Sequence, residues 1–163
     1  ASATYAFKAP GEGKEVLRQT QIITNSGYDN RGVPVLTVAE TRDGKDQPVE
    51  TRTTRNVSVD ARGNILSQRV EIDTYPTSQN GQIDKSVSLK EIRTIENSDF
   101  TGRGVPKRTT ETIQQNRKEM GHDHTSFVGK RVTNNNTFDS SGNVLSRTVT
   151  DITKTARSRV EKK

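Results

Sequence analysis

The sequence contains no cysteine, no tryptophan and only two histidines, His122 and His124, in 163 residues. Without cysteine the chain has neither disulfides nor thiolates, which removes thiol catalysis and thiolate metal sites together. A serine triad also lacks its base, because both histidines fall in one short segment. No other set of acid, base and nucleophile can be named. We therefore expect a protein without catalytic activity and without a cofactor.

Apolar residues are also scarce, at 27% of the chain with 4% aromatic, and the mean hydropathy is -0.91. So little apolar area predicts a thin core, because its burial must offset the conformational entropy of ordering the chain. No apolar run approaches the roughly 18 residues of a membrane helix, so we expect no membrane span. The polar residues are mostly threonine, arginine and serine alternating with valine between turn signals, which is typical of strands.

The chain carries a net charge of +6, which favours attraction to polyanions. Arginine and lysine are mixed with acidic residues along the candidate strands and cluster only near the C-terminus, at Arg157, Arg159, Lys162 and Lys163. An anionic glycan is therefore one candidate partner. Nucleic acid is disfavoured, because the aromatic residues on which single strands stack are missing.

Two segments recur in the order A, B, A, B. Residues 25–34 return as 97–106 with an identical Arg-Gly-Val-Pro core, and residues 59–67 return as 138–146. The recurrence predicts one β domain at 14–160 that is made of two copies, 14–85 and 86–160. Residues 1–13 are then an N-terminal strand with its linker, and 161–163 a basic tail. The extra residues of the second copy predict an enlarged loop at 120–129.

All four recurring segments share the pattern apolar residue, Asp or Thr, two residues, Gly. The Asp or Thr side chain can accept a bond from the backbone two residues on, and glycine takes the positive φ that closes a hairpin. The predicted turn residues are Tyr28, Asp29, Gly32, Asp60, Gly63, Phe100, Gly104, Phe138, Asp139 and Gly142. Further turn signals at 43–46 and 80–81 complete the set.

These turns separate eight predicted strands, at 14–26, 33–42, 48–59, 64–75, 83–97, 105–117, 129–138 and 143–156. Short loops make successive strands antiparallel neighbours, so we expect an all-β, up-and-down meander. Eight strands with a thin apolar face can form a sandwich, a flattened barrel or an open twisted sheet. The duplication favours the sandwich or flattened barrel.

Before this domain, the N-terminal residues alternate in a way that predicts a short strand containing Tyr5 and Phe7, followed by a flexible linker at 8–14. The strand either folds back onto its own sheet, which we favour, or adds to the edge of a neighbouring subunit as an assembly arm. The second alternative predicts a homo-oligomer or polymer. The start Ala1-Ser2-Ala3 is typical of a mature product after removal of a signal peptide, which predicts a secreted or cell-surface protein.

Two short segments resemble metal ligand sets. His122-Asp123-His124 could chelate a transition metal, but no third and fourth ligand accompany it, so an exposed polar loop is favoured. The Asp43–Asp46 turn lacks the ordered oxygen ligands and closing glutamate of a calcium loop. We therefore predict no metal site.

The segments 28–32 and 138–145 resemble the tyrosine-aspartate repeats of bacterial Rhs-type surface and toxin-encapsulating proteins, in which Tyr-Asp-x-x-Gly-x-Leu marks a hairpin. The resemblance covers four short turns and implies an extracellular β-rich scaffold without catalysis. Our first hypothesis is thus a bacterial extracellular structural protein, a fibre, sheath or surface-layer subunit, that self-associates through strand edges. The alternative is a binding module that holds an anionic polymer on a basic sheet face.

Overall fold

A computed structural model describes residues 2–10, 15–77, 80–84, 87–119 and 122–154, with side chains at 3–4, 19–77, 80–84, 87–116 and 128–152. The strands are β1 (Ser2–Pro10), β2 (Glu15–Tyr28), β3 (Pro34–Asp43), β4 (Pro48–Val59), β5 (Ile65–Thr74), β6 (Ser88–Phe100), β7 (Pro106–Glu119), β8 (His122–Phe138) and β9 (Val144–Lys154). No helix occurs in these residues, so the predicted all-β fold is confirmed.

The nine strands form one sheet in chain order, and every pairing is antiparallel. Strands contact only their hydrogen-bonded neighbours within the described ranges, so the sheet is a single layer. The meander and the open sheet are among the predicted architectures, but the preference for a sandwich or flattened barrel was wrong. Too few apolar side chains are present to hold a second layer.

The second half differs from the prediction where β7 meets β8. Instead of an enlarged loop at 120–129, β7 continues to Glu119 and β8 begins at His122, with these two residues paired. The extra residues lengthen the hairpin, because a ladder of backbone hydrogen bonds satisfies groups that a loop would leave to water. A register shift between Gln115 and Asn116 accommodates the added length.

The N-terminal linker is shorter than predicted, since 8–10 belong to β1. Residues 11–14, the remainder of that linker, and the basic tail at 161–163 lie outside the described residues.

Alternation along each strand and pairing across strands place every side chain on one of two faces. We name face A the side that contains Ala39 and face B the other. The buried side chains are all on face A of β3 and β5: Ala39, Thr41, Val70 and Ile72. Among the described side chains none is completely buried. The core is therefore a small cluster in the first half of the sheet.

The accessible surface of 11546 Å² is well above the approximately 8,100 Å² expected for a compact protein of this mass. Apolar side chains such as Ile22, Leu36 and Ile92 lie on face B, while Ile95 and Ile113 lie on face A. Because the apolar residues are shared between two faces, each face is only partly apolar and both remain in contact with solvent.

Candidate assembly surface

Four hairpin turns lie side by side at one end of the sheet, because every second connection of a meander falls at the same end. We name them together the turn ridge: residues 29–32, 60–63, 101–104 and 139–142. In the first turn, Asp29 N–H donates to the carbonyl of Val33 at 2.9 Å, and Gly32 N–H donates to the carbonyl of Asp29 at 3.0 Å. The other three turns repeat both bonds. This is a type I turn followed by a bulge in which glycine has positive φ.

The side chain of the first residue of each turn adds further hydrogen bonds to those of the backbone. Asp29 Oδ1 accepts the N–H groups of Arg31 and Val33, each at 2.9 Å. Asp60 acts in the same way, and Asp139 accepts the N–H groups of Asn143 and Ser141. In the third turn, Thr101 Oγ1 accepts only the N–H of Val105, at 3.1 Å. The hydroxyl therefore replaces the carboxylate with one bond fewer.

These bonds lower the pKa of all three turn aspartates. The main cause is the backbone bond from Val33 for Asp29, the side-chain bond from Asn64 for Asp60 and the side-chain bond from Asn143 for Asp139. Hydrogen bonds of this kind favour the charged form of a carboxyl.

We expect the stability of the sheet to fall as the pH drops below about 4. A carboxyl whose pKa is lower in the folded state stabilises the fold above its unfolded pKa, and the effect is lost as the pH falls through the folded pKa. Urea unfolding midpoints at pH 7 and at acid pH measure the loss. A variant with asparagine at Asp29, Asp60 and Asp139 keeps the turn acceptors without charge, and its midpoint should change less. An equal change in both proteins would contradict this role of the turn carboxylates.

Each turn of the ridge also touches the next one. Arg31 Nη1 donates to the carbonyls of Asp60 and Ala61 in the second turn, at 3.2 and 3.1 Å. Arg103 of the third turn donates to the carbonyl of Ser141 in the fourth. The turn ridge is therefore linked along the sheet by side chains as well as by strand pairing.

The second and third turns are connected by an amide instead of an arginine. Asn64 Nδ2 donates to Asp60 Oδ2 at 2.8 Å, and its Oδ1 lies 2.5 Å from where a Cβ on Gly104 would be. Only glycine leaves room for this contact at that position.

A recurring arrangement of asparagines, none of them among the predicted site residues, joins successive hairpins. The Nδ2 groups of Asn56, Asn97 and Asn135 donate to the first residues of β3, β5 and β7, respectively, at 2.9, 3.0 and 2.8 Å. Each asparagine stands four positions before the first residue of a turn, and Asn25 occupies the same place before Asp29. That spacing is visible in the sequence and could have revealed the set.

In the first three hairpins the oxygen of this asparagine also accepts a bond from within the same hairpin. Thr37 Oγ1 donates to Asn25 Oδ1 at 2.7 Å, and Thr109 Oγ1 donates to Asn97 Oδ1 at 2.8 Å. For Asn56 the donor is Gln68 Nε2, at 2.8 Å. The structural repeat is consequently a single hairpin, which occurs four times after β1.

Ion pairs lie on both faces of the sheet, some within one strand and some between neighbouring strands. On face B, Glu71 accepts Arg69 at 2.8 Å and Lys90 at 3.3 Å. On face A, Arg93 bridges Glu91 and Glu111, and Arg131 binds Asp151 at 2.7 Å. The pairs Lys90–Glu71, Arg93–Glu111 and Arg131–Asp151 join adjacent strands and support their register.

Cations without an ion pair in the part of the chain with described side chains are divided between the faces. They include Arg52 and Arg147 on face A and Arg55, Arg108 and Lys130 on face B. Among the described side chains, positive charge is therefore concentrated on neither face.

A shallow groove of about 360 Å³ crosses face A, lined among others by Arg52, Ile72, Glu91 and Arg93. Although burial raises the pKa of Glu91, hydrogen bonds from Gln115 and Arg93 lower it overall. A carboxylate held ionised between donors suits charge pairing better than proton transfer.

The residues considered as metal ligands lie in a strand and in a hairpin turn. His122 and His124 belong to β8, paired with Glu119 and Arg117, rather than to an exposed loop as predicted; their side chains lie outside the described part. No group of three or more potential ligands comes together in the described residues. Asp43 Oδ1 accepts the N–H groups of Lys45 and Gln47 at 2.9 Å, which makes 43–46 another closed turn.

The two edges of the sheet are formed by β1 and β9. β1 pairs with β2 of its own chain, with Tyr5 opposite Gln21 and Phe7 opposite Gln19, which is the arrangement we favoured from the sequence. The side chains of Tyr5 and Phe7 are outside the described set. The far sides of both edge strands have no neighbour in the described sheet.

The aromatic turn residues do not form a common cluster. Tyr28 is 48% exposed, and its hydroxyl donates to the carbonyl of Asn25 at 3.5 Å. Phe100 pairs with Pro106, and Phe138 with Val144, at the mouths of the third and fourth turns. They close individual hairpins.

The edge strand β9 exposes several large apolar side chains. Leu145, Val149 and Ile152 are 66%, 49% and 49% exposed. From Arg147 to Lys154 the strand pairs with β8 without a register shift, and it contains no proline. The strand therefore presents a regular, unpaired row of backbone donors and acceptors.

Comparison of the chain with protein-family models, curated proteins and solved structures gave no significant match. The resemblance to tyrosine-aspartate repeats stays a prediction. None of the described segments forms a helix suited to crossing a membrane.

Proposed function

We propose that this protein is a non-catalytic, self-assembling structural protein that extends its sheet by pairing at strand edges. The observation that carries the proposal is the open β9 edge. β9 pairs with β8 at eight consecutive positions, from Arg147 to Lys154. At every second residue the backbone N–H and C=O point away from β8, to the side where the described sheet has no further strand. Pairing with another strand would satisfy these groups and cover the exposed aliphatic side chains.

The single-layer architecture supports the same function. Within the described ranges each hairpin contacts only its neighbours, as in repeat proteins whose stability is the sum of unit and neighbour terms. Adding another strand at β9 repeats an interaction that already builds the sheet. A compact protein with one central core has no equivalent place for growth.

The distribution of charge favours assembly over the alternative of an anionic-polymer module. Such a module needs a face on which cations are concentrated. Among the described side chains, cations without an ion pair lie on both faces, such as Arg52 and Arg147 on one and Arg55, Arg108 and Lys130 on the other. The basic C-terminal cluster lies outside the described residues. The tyrosine-aspartate resemblance supports an extracellular location for the assembly.

Sedimentation velocity over a wide concentration range, at about 50 mM and about 500 mM salt, tests the proposal. We expect concentration-dependent association that changes little with salt, because strand pairing depends chiefly on backbone bonds and apolar contact. Binding to a sulfated or phosphorylated polymer should instead fall steeply with salt if the alternative is correct. A protein that remains monomeric up to millimolar concentration would disprove the self-assembly.

A further inference from the structure

The direction of the edge strands limits how two copies can join. Strands of the meander alternate in direction, and with nine of them β1 and β9 run the same way. A copy added by simple translation would place its β1 parallel to β9. Every pairing within the sheet is antiparallel. A two-fold axis perpendicular to the sheet instead sets β9 against β9 in the antiparallel direction.

We propose that β9 pairs antiparallel with β9 of a second copy, centred on Val149, so that Arg147 of each copy lies opposite Asp151 of the other. This inference rests on the proposed function and specifies its partner and register. Val149, 49% exposed in the single chain, would lie opposite its own counterpart.

Symmetry and charge together select this register. A two-fold axis perpendicular to the sheet leaves face A of both copies on the same side. Residues opposite each other must then belong to the same face, so one residue of β9 lies opposite its own copy at the axis. Centring on Thr148 would set Leu145 against Asp151, and centring on Thr150 would set Val149 against Asp151. Centring on Arg147 or Asp151 would set like charges opposite each other. Only the register centred on Val149 pairs opposite charges twice.

A row of alternating charges on face A ends with Asp151 on the edge strand β9. Glu111, Arg131 and Asp151 occupy opposed positions on β7, β8 and β9. Arg131 donates to Asp151 at 2.7 and 3.2 Å, and a carboxylate has lone pairs for further donors. Arg147 makes no ion pair in the part of the chain with described side chains. In the proposed dimer, Arg147 of the second copy continues the alternation of charge beyond Asp151.

Cysteine cross-linking tests the register directly, because the chain has no cysteine of its own. Opposed residues of an antiparallel pair have Cα atoms about 4.5 or 5.5 Å apart, within the reach of a disulfide. We expect Val149→Cys to form a covalent dimer under mild oxidation. Thr148→Cys is the matched control, since its two copies would lie about 8 Å apart. That variant should cross-link only when mixed with Thr150→Cys.

A charge reversal tests the two proposed Arg147–Asp151 ion pairs without introducing a covalent cross-link. Arg147→Glu replaces two attractive pairs by two repulsive ones, so we expect a dimer dissociation constant at least about tenfold higher and an unchanged circular dichroism spectrum. If the native protein assembles but Thr148→Cys cross-links as well as Val149→Cys, or Arg147→Glu leaves the constant unchanged, the β9 register is wrong while self-assembly stands. A native protein that never associates defeats the proposed function itself.

Discussion

Replacing Ile72 by alanine is expected to lower the free energy of unfolding by about 2–3 kcal/mol. Ile72 is 8% exposed and lies beside Val70 in the small core of face A. Because the described part of the chain buries so few apolar side chains, the loss is a large share of a stability of about 5–15 kcal/mol. Urea unfolding of the monomer, followed by circular dichroism, measures it.

Leu89→Ala provides the control for this measurement. Leu89 lies on the same face, opposite Thr74 on the strand next to that of Ile72, but is 51% exposed. We expect its truncation to cost less than about 0.5 kcal/mol. Equal losses at the two positions would mean that face A is covered beyond the first half of the sheet, which contradicts the single-layer description.

Replacing Gly104 by alanine is expected to destabilise the protein by about 2 kcal/mol, in two parts. The φ of +79° costs an L-residue about 1 kcal/mol. The remainder comes from the new Cβ, which would displace the Asn64 side chain and so break the contact between the second and third turns. Thermal and urea unfolding of the variant measure the sum.

Gly32→Ala separates the two contributions. Gly32 has a φ of +80°, yet nothing lies within 4 Å of where its Cβ would be. We expect only the conformational cost of about 1 kcal/mol there. If both variants lose the same stability, the contact of Asn64 with Gly104 contributes nothing, and the second and third turns are linked by strand pairing alone.

The turn chemistry was predictable because it is local. An Asp or Thr that accepts backbone N–H groups, and a glycine three residues later, act within five positions of the chain. The strands follow from the turns on either side, and all eight predicted strands of the domain appear, β4 with the predicted ends and the others with shifted ends. The asparagines four positions before each turn are equally regular in the sequence. The Nδ2 groups of Asn56, Asn97 and Asn135 donate to the preceding hairpin, so no local rule predicts this role.

The prediction of an enlarged loop failed for a related reason. An insertion in one copy of a repeat shows that residues were added, not what they form. Residues 120–129 include Thr125 and Phe127, two residues with high strand propensity at alternate positions. Only pairing with a β7 that is itself extended made the strand the better solution.

The sequence alone determined that this chain forms an antiparallel meander and where its turns lie. Alternation and turn residues decide which strands are neighbours. Whether the sheet closes, folds over or stays open was decided only in three dimensions. Sparse apolar side chains on both faces leave neither face able to hold a second layer. The link from Arg31 to a turn 29 residues away likewise exists only after the strands between them have paired.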